Sequence, residues 1–276
     1  QKLFQLAQSY KKKYNLKIGV VNFDPMPKMF FNKKLKNFRL SNIDQKIKLL
    51  SNLKVDFVIT KKFDKKFSKT KALNFIIQIL NKKLNSKFIF VSNNFRFGNK
   101  REGNVKLLIN YEKLFNYKVV KPEPLIRSRK IVSSSLIRNL LEKGFLDKAN
   151  NLLNRNWTIQ GIVEKGRQLG KKIGFPTCNI DIQDYVLARP GVYAVKVLRK
   201  NSNKYLKGIA NLGYRPTFNQ KKLLLEVHLF NFSGNLYNKL LSVEFLKFIR
   251  KEKKFKNVNQ LKAQIKKDLN IAKKTK

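Results

Sequence analysis

Hydrophobic and polar positions alternate along the chain in two textures. Over the first half, short apolar runs alternate with stretches of helical spacing. Residues 17–23 (KIGVVNF) predict a strand that ends at the turn Asp24-Pro25-Met26-Pro27, and 42–53 predict a helix opened by Asn42. Strand 55–60 follows, then a helix over 68–84 with Ala72, Phe75, Ile76, Ile79 and Leu80 on one face, then strand 87–92. A helix over 102–115, a brief strand at 118–120, and short helices over 133–143 and 145–153 complete this half. Such alternation predicts a parallel sheet wrapped by helices. Beyond residue 153 the period shortens to that of strands, at 158–163, 192–199, 206–212, 223–232 and 242–248. Residues 258–272 close the chain as an amphipathic helix with Leu261, Ile265, Leu269 and Ala272 inward. Closely spaced strands predict an antiparallel barrel or sandwich, so the pattern implies two domains, 1–153 and 154–276.

Composition narrows the function classes. Of 276 residues 42% are apolar and 22 are Phe, enough for packed cores and against wholesale disorder. A single Cys (Cys178) excludes a disulfide framework and a cysteine-rich zinc module, and fits a reducing, cytoplasmic setting. A single His (His228) excludes a histidine metal cluster within these residues. No apolar run reaches the roughly 18–20 residues of a membrane span.

The net charge of +46 admits two readings. A dense cationic surface suits a noncatalytic nucleic-acid-binding protein. Compositional drift explains it better, because Lys residues spread from Lys2 to Lys276 and only 12 basic residues are Arg, the usual base-reading side chain. Drift leaves weak polyanion binding as a by-product and no specific nucleic-acid partner.

Four segments can carry chemistry. Residues 161–179 (GIVEKGRQLGKKIGFPTCN) place Gly161, Gly166, Gly170 and Gly174 among Lys165, Arg167, Lys171 and Lys172. Close backbone approach with positive charge suits a polyphosphate, yet the stretch reads equally as a Gly-rich hairpin, and it is no Walker A loop. Its end favours the first reading: Thr177 and Asn179, two apart on a strand, offer two neutral oxygens to a nucleotide-bound Mg²⁺.

The second segment is 223–230 (LLLEVHLF). Glu226 is the acid of this half embedded in an apolar run, which is costly without a partner or a task. Taken alone, a buried ion pair is the plainer account, and His228 on the same face reads as a packed, hydrogen-bonded histidine. Third, Ser133, Ser134 and Ser135 open a helix with Arg138 one turn on, an anion-binding arrangement that is common as a plain cap. Fourth, Asn94 stands in a loop at the carboxyl edge of a predicted parallel strand.

Taken in order, FDPMP (23–27), FRL (38–40), NFRFG (94–98), SSSLIR (133–138), GFPTCN (174–179), NLGYRPTF (211–218), LEVHLF (225–230) and FIRKEKKF (248–255) resemble the bacterial bifunctional riboflavin kinase/FMN adenylyltransferase family. The resemblance implies an incomplete Rossmann-like nucleotidyltransferase domain followed by an antiparallel riboflavin kinase β-barrel with a C-terminal helix. It further implies ATP, riboflavin and FMN as substrates, with Mg²⁺ as cofactor. Thr177 and Asn179 match its Mg-ATP positions, Gly161, Gly166, Gly170 and Gly174 its phosphate flap, and Glu226 its base for the ribityl 5′-hydroxyl. Arg250 matches an arginine near the flavin. Asn94, Ser133, Ser134, Ser135 and Arg138 match nucleotide-binding positions of the adenylyltransferase half. Cys178 stands where that family usually has Ala, and Met26 where it often has His. The paired-histidine HxGH motif falls before Gln1, so the expectation is a truncated chain that keeps phosphorylation and lacks adenylylation.

Overall fold

A computed structural model describes residues 2–127, 129–166, 168–182, 184–216 and 221–275. Arg167, Thr217 and Phe218 of the motifs above lie outside the described residues. The chain divides into two compact units, 1–35 with 47–131, and 36–46 with 132–276.

In the first unit, strand Gly19–Asp24 pairs in parallel with Phe57–Lys62, and Phe88–Phe90 pairs in parallel with Lys118–Val120. The expected parallel strands are present, as two pairs. The predicted helix over 68–84 is divided: Ala72–Phe75 is α-helical and Ile76–Lys83 continues as a π-helix. Its apolar face nonetheless behaves as read. Ala72, Phe75, Ile76 and Leu80 are buried with Val105, Leu108 and Tyr117 in one cluster, and Ile79 packs against it. Helix Lys2–Tyr14 has no counterpart among the predicted elements.

The second unit contains helices α1 (Ser134–Glu142) and α2 (Leu146–Leu153), then strands β1 (Thr158–Glu164), β2 (Cys178–Asp181) and β3 (Gly191–Arg199). Strands β4 (Tyr205–Pro216), β5 (Lys221–Leu229) and β6 (Leu240–Lys251) and helix α3 (Val258–Lys274) follow. The six strands close a barrel in the order β2-β5-β4-β3-β6-β1, every pairing antiparallel. Period-2 alternation fills it: Ile159, Val163, Ile180, Tyr193, Val195, Leu212, Leu225, Val227 and Phe245 belong to one buried cluster.

Strand β3 is buried on both faces, because α3 covers its outer side. Val192 and Ala194 form a second cluster there with Ile209 and Ala272. Register shifts between β3 and β6 mark bulges, beyond which Arg250 stands opposite Val192.

The contact division does not fall at residue 154. Residues 36–46 pack on the barrel, where Trp157 Nε1 donates to the Leu40 carbonyl (3.1 Å) and Gln45 Nε2 to that of Thr158 (3.0 Å). Asn42 and Gln45 form a reciprocal capping box (2.8 and 3.0 Å) that starts helix Ile43–Asn52. Among the described residues no helix is long and apolar enough to cross a membrane.

Candidate active site

Register fixes the central row of the site. Asn179 on β2 lies opposite Glu226 on β5, and Glu226 lies opposite Asn211 on β4. Residues directly across an antiparallel pair share a face. The neighbouring row, Ile180, Leu225 and Leu212, is fully buried in the barrel, so the polar row takes the opposite face. Thr177, Asn179, Glu226 and Asn211 all line a cavity of about 680 Å³. Its far wall is apolar, with Val258, Leu261 and Ile265 of α3 and Phe255 before it. Leu261 and Ile265 therefore face a cavity and not a filled core, which the amphipathic pattern could not distinguish.

A second cavity of about 490 Å³ lies on the other side of β2, lined by Cys178, Val227 and Leu229 together with Phe232 and Tyr237 of the β5–β6 loop. Thr177 borders both cavities. Strand β2 is thus the partition between them, and Gln168 and the short helix Leu169–Lys172 lie over its leading end.

Three of the four flap glycines are needed there, for two different reasons. A Cβ on Gly166 would lie 1.7 Å from Asn179 Nδ2, and one on Gly170 would lie 2.4 Å from the Phe175 carbonyl oxygen and 3.2 Å from Thr177 Oγ1. The loop backbone rests directly on the two oxygen-donor residues. Gly174 meets nothing within 4 Å but has φ +91°, a conformation open to glycine. Gly161 departs from the expected flap. It sits inside β1 and lines neither cavity, and its missing side chain makes room for Ile180, whose Cγ2 would lie 2.5 Å from a Cβ.

The donor set can be tested for a cation. Asn179 is buried, 6% exposed, and its Oδ1 has no hydrogen-bond partner among the described residues. An orphaned carbonyl oxygen beside a threonine hydroxyl, under a lysine-bearing loop, fits a metal that arrives with most of its ligands. Among the described residues no group of three His, Cys, Asp or Glu side chains could hold a metal alone. Cys178 is not a competing nucleophile: burial pushes its thiol up to about 11, and Sγ faces the Val227 carbonyl at 3.4 Å. His228 Nδ1 is 2.8 Å from the carbonyl of Pro176.

Residues 153–276 match the family model for riboflavin kinase, and residues 1–136 that for FAD synthetase. The bifunctional riboflavin kinase/FMN adenylyltransferase of Buchnera aphidicola subsp. Schizaphis graminum is 40% identical over 277 residues, covering 99% of this chain and 88% of that protein. The chain belongs to the bifunctional riboflavin kinase/FMN adenylyltransferase family. The protein of the same name from Haemophilus influenzae is 42% identical over 259 residues, covering 94% of this chain and 84% of its own length. In fold, the crystal structure of a macrolide-efflux protein from Streptococcus pneumoniae matches all of this chain and 89% of its own, with a TM-score of 0.85 and 26% identity.

Within the riboflavin kinase/FMN adenylyltransferase frame, four expected residues have further contacts. Arg250 lines the larger cavity, yet its guanidinium is engaged. Nε lies 3.0 and 2.8 Å from the two oxygens of Asp268 and Nη2 lies 2.7 Å from Oδ2. Asp268 is 2% exposed and also accepts from Gln264 Nε2 at 2.8 Å. Arg250 therefore pins α3 to β6, and a direct flavin contact has to use what this pairing leaves over. Ser133 caps α1, accepting from Leu136 N–H at 3.2 Å, with Ser134 and Ser135 exposed beside it. Arg138 donates Nε to the Phe38 carbonyl (2.7 Å) and stacks 3.6 Å over the Phe38 ring. It holds the 36–46 segment, whatever else it does. Asn94 stands in an exposed turn of the first unit, accepting from Ser92 Oγ at 2.8 Å, while the serines and Arg138 belong to the second. Asn211 and Glu252 line the larger cavity and Phe232 and Tyr237 the smaller one, and no local pattern singled them out. Of these, Asn211 stands in the NLGYRPTF motif, and its register opposite Glu226 is a tertiary fact.

Proposed function

We propose that this chain phosphorylates riboflavin with ATP, giving FMN and ADP. One observation carries the reading: β2 separates two cavities that meet at Thr177, with Glu226 directly across from the orphaned Asn179. The larger cavity, apolar along α3, suits a planar flavin, and the smaller one under the lysine-bearing flap suits the nucleotide. Glu226 takes the proton of the ribityl 5′-hydroxyl as its oxygen attacks the γ-phosphorus. The bond from that phosphorus to the bridging oxygen breaks, and ADP leaves. Thr177 and Asn179 would hold Mg²⁺, which when bound neutralises phosphate charge. The flap glycines, pressed against these two residues, align the terminal phosphate and exclude water.

Residues 154–276 serve as the kinase domain in this reading, and 1–153 as the adenylyltransferase domain. The FAD synthetase match over 1–136 supports transfer of AMP from a second ATP onto FMN, the step expected to be missing from this chain. The single Cys fits a reducing compartment, and the enzyme is read as acting in the cytoplasm. Beyond the net charge of +46, no observation favours nucleic-acid binding. Incubating the chain with riboflavin, ATP and Mg²⁺ and resolving the flavins by chromatography tests the proposal. FMN is expected to accumulate, and no FMN at any MgATP concentration refutes it.

A further inference from the structure

The mechanism leaves His228 unused, although it shares a strand face and a cavity with Glu226. Its surroundings define a task. Thr177 enters β2 from the loop, immediately after Pro176. Proline has no N–H to give to a neighbouring strand, and the ladder between β2 and β5 begins only at Cys178 opposite Val227. Thr177 therefore stands one residue before the register that could hold it. His228 Nδ1, 2.8 Å from the Pro176 carbonyl oxygen, continues the pairing with a side chain where backbone cannot.

A carbonyl oxygen only accepts, so Nδ1 is the donor in this bond. The ring is itself held between Phe175 of the loop (6.0 Å between ring centres, 85°) and Phe230 of β5 (6.1 Å). From the loop side, Phe175 N–H donates to the Gly170 carbonyl at 2.8 Å, and Gly170 packs against Thr177. The chain around Thr177 is thus fixed by the flap on one side and by His228 on the other.

We infer that His228 is a positioning residue for the kinase reaction: through the Pro176 carbonyl it sets where the Thr177 hydroxyl stands for the metal–nucleotide. The inference rests on the riboflavin kinase reading above. It predicts that the effect on MgATP follows the Nδ1 donor, whereas any effect on riboflavin, whose cavity the ring also lines, does not.

The test compares His228→Phe, which keeps a ring and loses the donor, with His228→Asn, whose amide donates from near the Nδ1 position, and His228→Gln, whose amide reaches nearer Nε2. KM for MgATP, KM for riboflavin, kcat and Tm are measured for each. His228→Phe should raise KM for MgATP by about tenfold, the scale of one neutral hydrogen bond, and by more than it raises KM for riboflavin. His228→Asn should recover most of that loss and His228→Gln little of it. An unchanged KM for MgATP in His228→Phe overturns the inference, as does equal recovery by Asn and Gln. If His228→Phe does not fold, the Asn and Gln variants decide by the same criterion. Wild-type chain that makes no FMN refutes the kinase reading itself, whereas active wild type with an indifferent His228→Phe refutes this inference alone.

Discussion

Replacing Gly166 by alanine separates close approach from mere loop mobility. The added Cβ would lie 1.7 Å from Asn179 Nδ2, whereas a nonbonded carbon–nitrogen pair needs about 3.5 Å. Loop and strand must part by roughly 1.5–2 Å, or the Asn179 side chain must swing out of its buried place. A displacement of about 1 Å at a positioned group costs on the order of 10²-fold in rate. Gly166→Ala should therefore lower kcat/KM for MgATP by about 10²-fold or more. Stability should change little, since alanine in a loop narrows the unfolded ensemble by about 0.4–1 kcal/mol and offsets local strain. Gly174→Ala is the contrast. Its Cβ meets nothing within 4 Å, but φ +91° costs an alanine about 1–2 kcal/mol, so its first effect is a Tm lower by a few degrees. The assay is FMN formation against varied MgATP, paired with thermal melting by circular dichroism. Wild-type kcat/KM in Gly166→Ala would falsify the packing of the flap on Asn179.

Other expectations follow from single contacts. Glu226→Gln should lower kcat for riboflavin phosphorylation by about 10²-fold or more, the scale of a positioned base, and an unchanged kcat removes Glu226 from that role. Asp268→Ala leaves Arg250 without its bidentate partner under α3. A loss of about 3–5 kcal/mol in urea unfolding is expected, and a loss below ~1 kcal/mol contradicts a structural pin. Burial raises the Cys178 thiol from an ordinary 9.0 to about 11, so in that interval the unfolded chain holds fewer protons than the folded one. Stability should fall as pH rises from about 9 towards 11, and Cys178→Ala should flatten part of that decline in pH-dependent unfolding. Native Cys178 should also resist alkylation at pH 8 and react once guanidinium unfolds the chain.

Local pattern determined a good deal of this protein. The period of apolar residues separated an α/β half from an all-strand half, and alternation along 223–230 put Glu226 and His228 on one face before any fold was known. Thr177 and Asn179, two apart on an extended strand, had to point the same way. Strand and helix periods are local properties, written into consecutive residues. What the tertiary structure alone decided is which of these faces meet. Opposition of Asn179 and Glu226 depends on register between strands almost 50 residues apart in sequence, and barrel closure sets it; the pairing of consecutive strands then brings Asn211 opposite Glu226. Gly161 and Gly166 look alike in sequence, yet one makes room for a core isoleucine and the other for a buried amide. Arg250 reads as a free cation until α3 folds back and brings Asp268 to it. Leu261 and Ile265 carry the same apolar signature as core residues, and only the gap between α3 and the barrel turns them into a cavity wall. Residues 36–46 belong by sequence to the first half and by contact to the barrel, because the Trp157 and Gln45 bonds that hold them join groups more than 100 residues apart. Spacing along a chain carries direction but not distance, and chemistry at this site is a matter of distance.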